Sequence, residues 1–140
     1  FTYTNTFGEW SGKAAGGSSG KECLQINVKD NSAFGSFVQI PAVDGTIEKI
    51  EVTIREPYKG RAIGIFPVGY TYTKDTLDKM KEQLAKDAIA ISNETPSDVN
   101  NNEPFTFVID NLSAKILTQF SIFPTLGAVS ITAITVTYSK

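Results

Sequence analysis

Ile47-Glu48-Lys49-Ile50-Glu51-Val52-Thr53-Ile54 and Ile131-Thr132-Ala133-Ile134-Thr135-Val136-Thr137-Tyr138 follow one pattern, I-x-x-I-x-V-x-[I/Y]. The last three apolar residues of each recur at the period of two that turns one face of a β-strand inward. In the first segment Ile50, Val52 and Ile54 share a face, and Ile47 falls out of phase with them. The second behaves alike: Val129 and Ile131 are odd, whereas Ile134, Val136 and Tyr138 are even. Side-chain direction alternates strictly along a strand, so a single change of parity requires one residue displaced from regular pairing. A bulge or sharp bend is therefore expected at Glu48-Lys49 and another at Thr132-Ala133. These would keep Ile47, Ile50, Val52, Ile54, Val129, Ile131, Ile134 and Tyr138 inward. The shared pattern further suggests that the two segments are antiparallel neighbours in one sheet.

Outward from these segments the same period continues. Phe1, Tyr3 and Phe7 alternate with threonines, and Leu24, Ile26 and Val28 alternate with Gln25, Asn27 and Lys29. Phe34 to Ile40 reads as a strand closed by Pro41 and the Asp44-Gly45 turn. Arg61 to Phe66 is apolar on both faces, as in a strand lying deep in a sheet. Phe105, Phe107 and Ile109 share a face, as do Ile116, Thr118, Phe120 and Ile122, the latter ended by Pro124. The glycine-rich stretch from Gly8 to Lys21 reads as a long loop, and so does the polar stretch from Asn93 to Pro104. Between Lys74 and Asp87 the period changes: Leu77, Met80 and Leu84 recur at helical spacing, with Asp75, Lys79, Glu82 and Lys86 forming i,i+4 pairs. Ala88 to Ile91 reads as a brief strand. The expected fold is all-β: an antiparallel β-sandwich of about eight strands with one short helical insertion, most simply a jelly roll, in a single domain over residues 1–140.

Composition narrows the chemistry. With 41% hydrophobic and 20% charged residues, the 140-residue chain has the make-up of a globular domain rather than a disordered one. It contains no histidine, and so lacks the commonest general base and metal ligand. Its one cysteine, Cys23, excludes an internal disulfide and a Cys/His zinc cluster. A net charge of -2 without a basic stripe argues against nucleic acid. Apolar runs such as Ala62 to Pro67 are too short for membrane insertion. The chain starts without Met and without a charged-then-apolar leader, which reads as a processed or excised segment.

Catalytic motifs do not emerge. A phosphate loop at Gly20-Lys21 fails because Ala15 and Glu22 stand where the motif needs glycine and a hydroxyl residue. Among Glu9, Glu22, Asp98 and Asp110 no spacing singles out the carboxylate pair of a glycosidase. No G-x-S-x-G elbow occurs, and a serine nucleophile would lack its histidine. The expectation is a protein that is not an enzyme, with no catalytic residue, no cofactor and no metal.

Two stretches carry a resemblance. Phe37-Val38-Gln39-Ile40-Pro41 followed by Ile47 to Ile54 resembles the middle strands of galactose-binding-like jelly rolls, and Ala128 to Tyr138 is similar to their last strand. The likeness is to domains of secreted or surface-anchored proteins from Bacteroides-type bacteria. It implies a non-catalytic, often glycan-binding module of an exported protein, located outside the cell or on its surface. Discoidin-like members are commonly tied by a terminal Cys pair, and here only Cys23 exists. Many carbohydrate-binding relatives hold a structural calcium on acidic groups near both termini, yet Ile131 to Ser139 contains no Asp or Glu. No metal ligand is therefore carried over, and the helix is a local insertion.

Sugar recognition by a β-sandwich uses aromatic rings stacked on pyranose faces, with planar polar groups beside them. Trp10 in the glycine-rich loop, Tyr58 after Pro57 in a turn, and Tyr70 and Tyr72 beyond Phe66 are the candidates, because they lie in or beside loops. Arg61 and Asn100 to Asn102 would add hydrogen bonds. Against this stands plain packing, since a lone Trp near a first strand commonly caps the core and loop tyrosines pack locally. Two functions follow: a glycan-binding module, or a structural or adhesive domain of a surface protein with no small-molecule ligand.

Overall fold

The computed structural model describes residues 2–13, 23–28 and 36–140. Ten strands lie among them: β1 (Thr2–Asn5), β2 (Gly8–Lys13), β3 (Leu24–Ile26), β4 (Phe37–Gln39), β5 (Thr46–Arg55), β6 (Ile63–Phe66), β7 (Ala90–Ile91), β8 (Phe105–Ile109), β9 (Ser121–Pro124) and β10 (Val129–Ser139). One α-helix, α1 (Leu77–Asp87), separates β6 from β7.

β5 and β10 are antiparallel partners, and their ladder carries two irregularities. Ile131 pairs with Ile54 but Ala133 pairs with Thr53, so Thr132 is the extra residue on β10. Further along, Thr137 pairs with Lys49 and Tyr138 with Ile47, which leaves Glu48 as the extra residue on β5. The second bulge restores the register that the first displaces. Each bulge lets the apolar side chains re-enter the same face after the parity change. Accordingly Ile47, Ile50, Val52, Ile54, Val129 and Ile131 are buried, with Ile131 only 5% exposed. Ile134, Val136 and Tyr138 are half-buried against the same core.

The four-stranded sheet runs β3-β10-β5-β8 and the six-stranded sheet β1-β2-β4-β9-β6-β7, with antiparallel pairing throughout. From β4 to β6 and again from β7 to β10 the chain changes sheet at every connection. One core lies between the sheets: Ile50, Val52 and Phe107 from one face Val38, Ile65 and Ile122 from the other. This is the all-β antiparallel sandwich with a helical insertion.

β6 shows why both of its faces are apolar. Ile63 and Ile65 point into the inter-sheet core, while Phe66 belongs to a second cluster on the outer face with Val28, Tyr72, Met80, Leu84 and Phe123. α1 covers that cluster with Met80 and Leu84, one turn apart on its buried face. Thr76 caps the helix, its side-chain oxygen accepting from the Lys79 N–H at 3.3 Å, with Asp78 in the first turn and Lys86 in the last, where each complements the dipole. Leu77 departs from its expected place: it is 42% exposed, because the first turn projects beyond the cluster.

Three further expectations are corrected. Gly8 to Lys13 is strand rather than loop, since Thr6-Phe7 forms a turn that folds β2 back on β1 and the other edge of β2 pairs with β4. The rest of that supposed loop, 14–22, lies outside the described residues, as do Phe1 and 29–35. Ile116 is not on a strand face: it follows a 3-10 turn (Ser113–Lys115) in the left-handed region (φ 52°) and is 76% exposed. Pairing starts only at Ser121, and Pro124 lies inside β9, opposite Ile63.

Candidate functional site

At the end of the sandwich where β5 delivers the chain to β6, the turn from Glu56 to Gly60 meets the loop from Asn93 to Pro104. Glu56 (φ 47°), Tyr58 (φ 49°) and Gly60 (φ 69°) all take the left-handed conformation, on either side of buried Pro57. For residues other than glycine this costs about 1–2 kcal/mol each. The neighbouring loop supplies the compensation. Asn101 Oδ1 accepts from the Tyr58 N–H (2.9 Å), and buried Thr95 accepts the Arg61 N–H on its hydroxyl (2.8 Å). The Thr95 N–H in turn donates to the Arg61 carbonyl at 2.9 Å. Asn100 braces its own turn by accepting the Asn102 N–H on its side chain (2.9 Å).

The outcome is a groove of about 380 Å³ lined by Tyr58, Lys59, Arg61, Ser97, Val99 and Asn101. Tyr58 is 50% exposed, with its ring free to meet a ligand. Arg61 is held by backbone: its Nε donates to the Ala128 carbonyl (2.9 Å) and its Nη1 to the Lys59 carbonyl (3.4 Å). Gly127 lies flat against the guanidinium, since a methyl group there would stand 3.0 Å from Cζ. A smaller groove of about 230 Å³, lined by Arg55, Glu56, Asn101, Asn102, Glu103 and Pro104, adjoins the first and shares Asn101 with it. Within it the Arg55 Nε is buried without a hydrogen-bond partner.

The structure thus brings Tyr58 and Arg61 together with Asn101, with Asn102 in the adjoining groove, and places the other candidate rings apart. Trp10 sits on β2 rather than in a loop, half-buried against the inter-sheet core with its ring 5.9 Å from that of Phe7. Tyr72 is only 7% exposed, and its hydroxyl donates to the Val28 carbonyl. Tyr70 is half-buried, stacked on Phe66 (4.6 Å between centroids), and donates to Asp87 Oδ2 at 2.8 Å. Burial first, and then the Asp87 carboxylate, push its phenol well above the ordinary tyrosine range. The sequence does not single out Lys59, Ser97 or Val99, although Lys59 follows Tyr58 and Val99 precedes the Asn100 to Asn102 run.

A larger concavity of about 850 Å³ follows α1, where Lys74, Lys79 and Lys86 alternate with Asp75, Glu82 and Asp87. It presents no aromatic ring, and its charges largely offset one another. Among the described residues no three His, Cys, Asp or Glu are grouped so that they could hold a metal ion, and no helix is long and apolar enough to cross a membrane. Comparisons with protein-family models, with curated proteins and with solved structures find no match.

Proposed function

We propose that this chain is a non-catalytic, carbohydrate-binding-like module of a bacterial secreted or cell-surface protein, in the manner of galactose-binding-like jelly rolls. The observation that supports it is the groove at Tyr58, where a half-exposed aromatic ring stands beside a backbone-anchored guanidinium and an asparagine. A pyranose offers an apolar face to a ring and hydroxyls to planar donors and acceptors, and loops at the end of a rigid sandwich commonly carry such sites. The groove is shallow, which suits a chain-end or side-chain sugar held weakly. A glycan array of the whole chain beside Tyr58→Ala tests the reading. Binding that Tyr58→Ala removes supports it, and an array without any positive glycan overturns it.

The second reading is a structural or adhesive domain with no small-molecule ligand. It is favoured by the packing of Trp10, Tyr70 and Tyr72, three of the four candidate rings, against core clusters. Only Tyr58 separates the two readings, which is why the array needs that variant.

A further inference from the structure

We infer that the Tyr58 groove selects an acidic saccharide, one bearing a carboxylate or a sulfate, over its neutral counterpart; this rests on the glycan-binding reading and goes beyond it. Two of the six residues lining the groove are cations, Lys59 and Arg61, and none is a carboxylate. That local excess stands out in a chain whose net charge is -2. Neither cation is ion-paired: among the described residues neither has a carboxylate within ion-pair distance.

Arg61 is the more telling of the two. Buried or half-buried arginines are ordinarily neutralised by a carboxylate. Here the guanidinium is positioned instead by two backbone carbonyls and the flat face of Gly127. Carbonyls fix its orientation without cancelling its charge, and among the described residues Nη2 donates to no partner. A pre-positioned guanidinium without an ion-pair partner, beside the Lys59 ammonium, is suited to a planar or tetrahedral oxyanion, and Glu94 borders the turn between them, its Oε1 3.9 Å from where a Cβ on Gly60 would stand. The adjoining groove differs: Arg55 there shares the lining with Glu56 and Glu103, so it suits an uncharged sugar unit. Asn101, common to both grooves, marks the junction between an anionic and a neutral position.

Trigalacturonate and α-1,4-linked galactotriose differ only in the oxidation state of C6, and a 6-O-sulfated galactotriose supplies the second source of charge. Titration calorimetry of the whole chain with these three probes, at low and at raised salt, tests the inference. One or both acidic probes should bind at least about tenfold more tightly than galactotriose, with the advantage shrinking as salt is added. Comparison of the two acidic probes identifies carboxylate or sulfate as the preferred group. Lys59→Gln, at an exposed position, should keep the fold and lose most of the preference, and Arg61→Gln should lose it further. Equal affinity for charged and neutral probes overturns this inference and leaves glycan binding standing. Absence of binding to all three probes overturns this inference as well, and an empty glycan array besides overturns both readings.

Discussion

Tyr70 carries its phenol between the ring of Phe66 and the carboxylate of Asp87, and both surroundings favour the protonated form. The folded protein therefore holds that proton more tightly than the unfolded chain, in which tyrosine titrates near pH ~10. The stabilisation from this difference is complete below about pH 10 and is lost as the pH climbs towards the raised folded value. Urea denaturation of the wild type should thus show a steeper loss of stability above about pH 10 than Tyr70→Phe does. At neutral pH the variant should be weaker by about 1 kcal/mol, the worth of the hydrogen bond to Asp87. Parallel alkaline slopes for the two proteins would contradict the assignment. Glycines give a second contrast at this scale. A methyl group on Gly45 would sit 2.0 Å from the Ser139 carbonyl oxygen, whereas around Gly69 (φ 86°) nothing lies within 4 Å. Gly45→Ala must push two backbone segments apart, costing about 2–3 kcal/mol, and Gly69→Ala meets only backbone strain of about 1–2 kcal/mol. Chemical denaturation of the two variants measures the difference.

The paired bulges belong to the scale of elements, and they lend themselves to deletion. Removing Thr132 closes the β10 bulge and leaves Ile131, Ile134, Val136 and Tyr138 in one parity, still opposite Ile54, Val52, Ile50 and Ile47. The cost should be about 1 kcal/mol, mainly the lost hydrogen bond from the Thr132 hydroxyl to the Thr53 carbonyl. Removing Thr135 instead flips Val136 and Tyr138 to the outer face, at a cost on the order of 2–4 kcal/mol. Comparable melting temperatures for the two deletions would refute the role given to the bulges. These bulges were legible in the sequence because parity is a strict geometric rule. The two-faced burial of β6 was legible for a similar reason, once an apolar residue stood at each of Ile63, Ile65 and Phe66. β2 was not, since Ser11 and Gly12 offer no apolar alternation and the strand is defined by its pairing with Ser11↔Gln39 and Gly12↔Val38. Ile116 misled in the opposite direction: its parity matched Phe120 and Ile122, but the left-handed turn at that residue breaks the count.

At the scale of the whole molecule, no cross-link is needed. The inter-sheet core and the cluster under α1 bury residues from β3, β4, β5, β6, β8, β9 and β10, and fully burying one large aliphatic or aromatic side chain is worth about 1.5–3 kcal/mol. Cys23 has no second cysteine to pair with. The melting temperature should therefore be the same in reductant and in EDTA as in buffer, and a drop of several degrees in EDTA would reveal a bound cation. The candidate site is also a property of the whole chain. Tyr58 could be selected from sequence as a turn residue and Arg61 as a hydrogen-bonding neighbour at the start of the next strand, but their meeting with Asn101 depends on a contact across 43 positions, Tyr58 N–H to Asn101 Oδ1, that no local pattern encodes. Trp10 shows the converse: its isolation in a polar stretch suggests a binding ring, but it pairs with Tyr3 in the β1–β2 hairpin and packs against the inter-sheet core.

An NMR titration of the isotope-labelled chain with trigalacturonate, followed by backbone amide shifts, tests the central claim most directly. Binding at the proposed groove predicts saturable shifts in the amides of Tyr58 to Arg61 and Ser97 to Asn102, with the Trp10 indole and the amides of Met80 and Leu84 unmoved. No shifts at millimolar oligosaccharide, or shifts centred on Trp10 or α1, would contradict it.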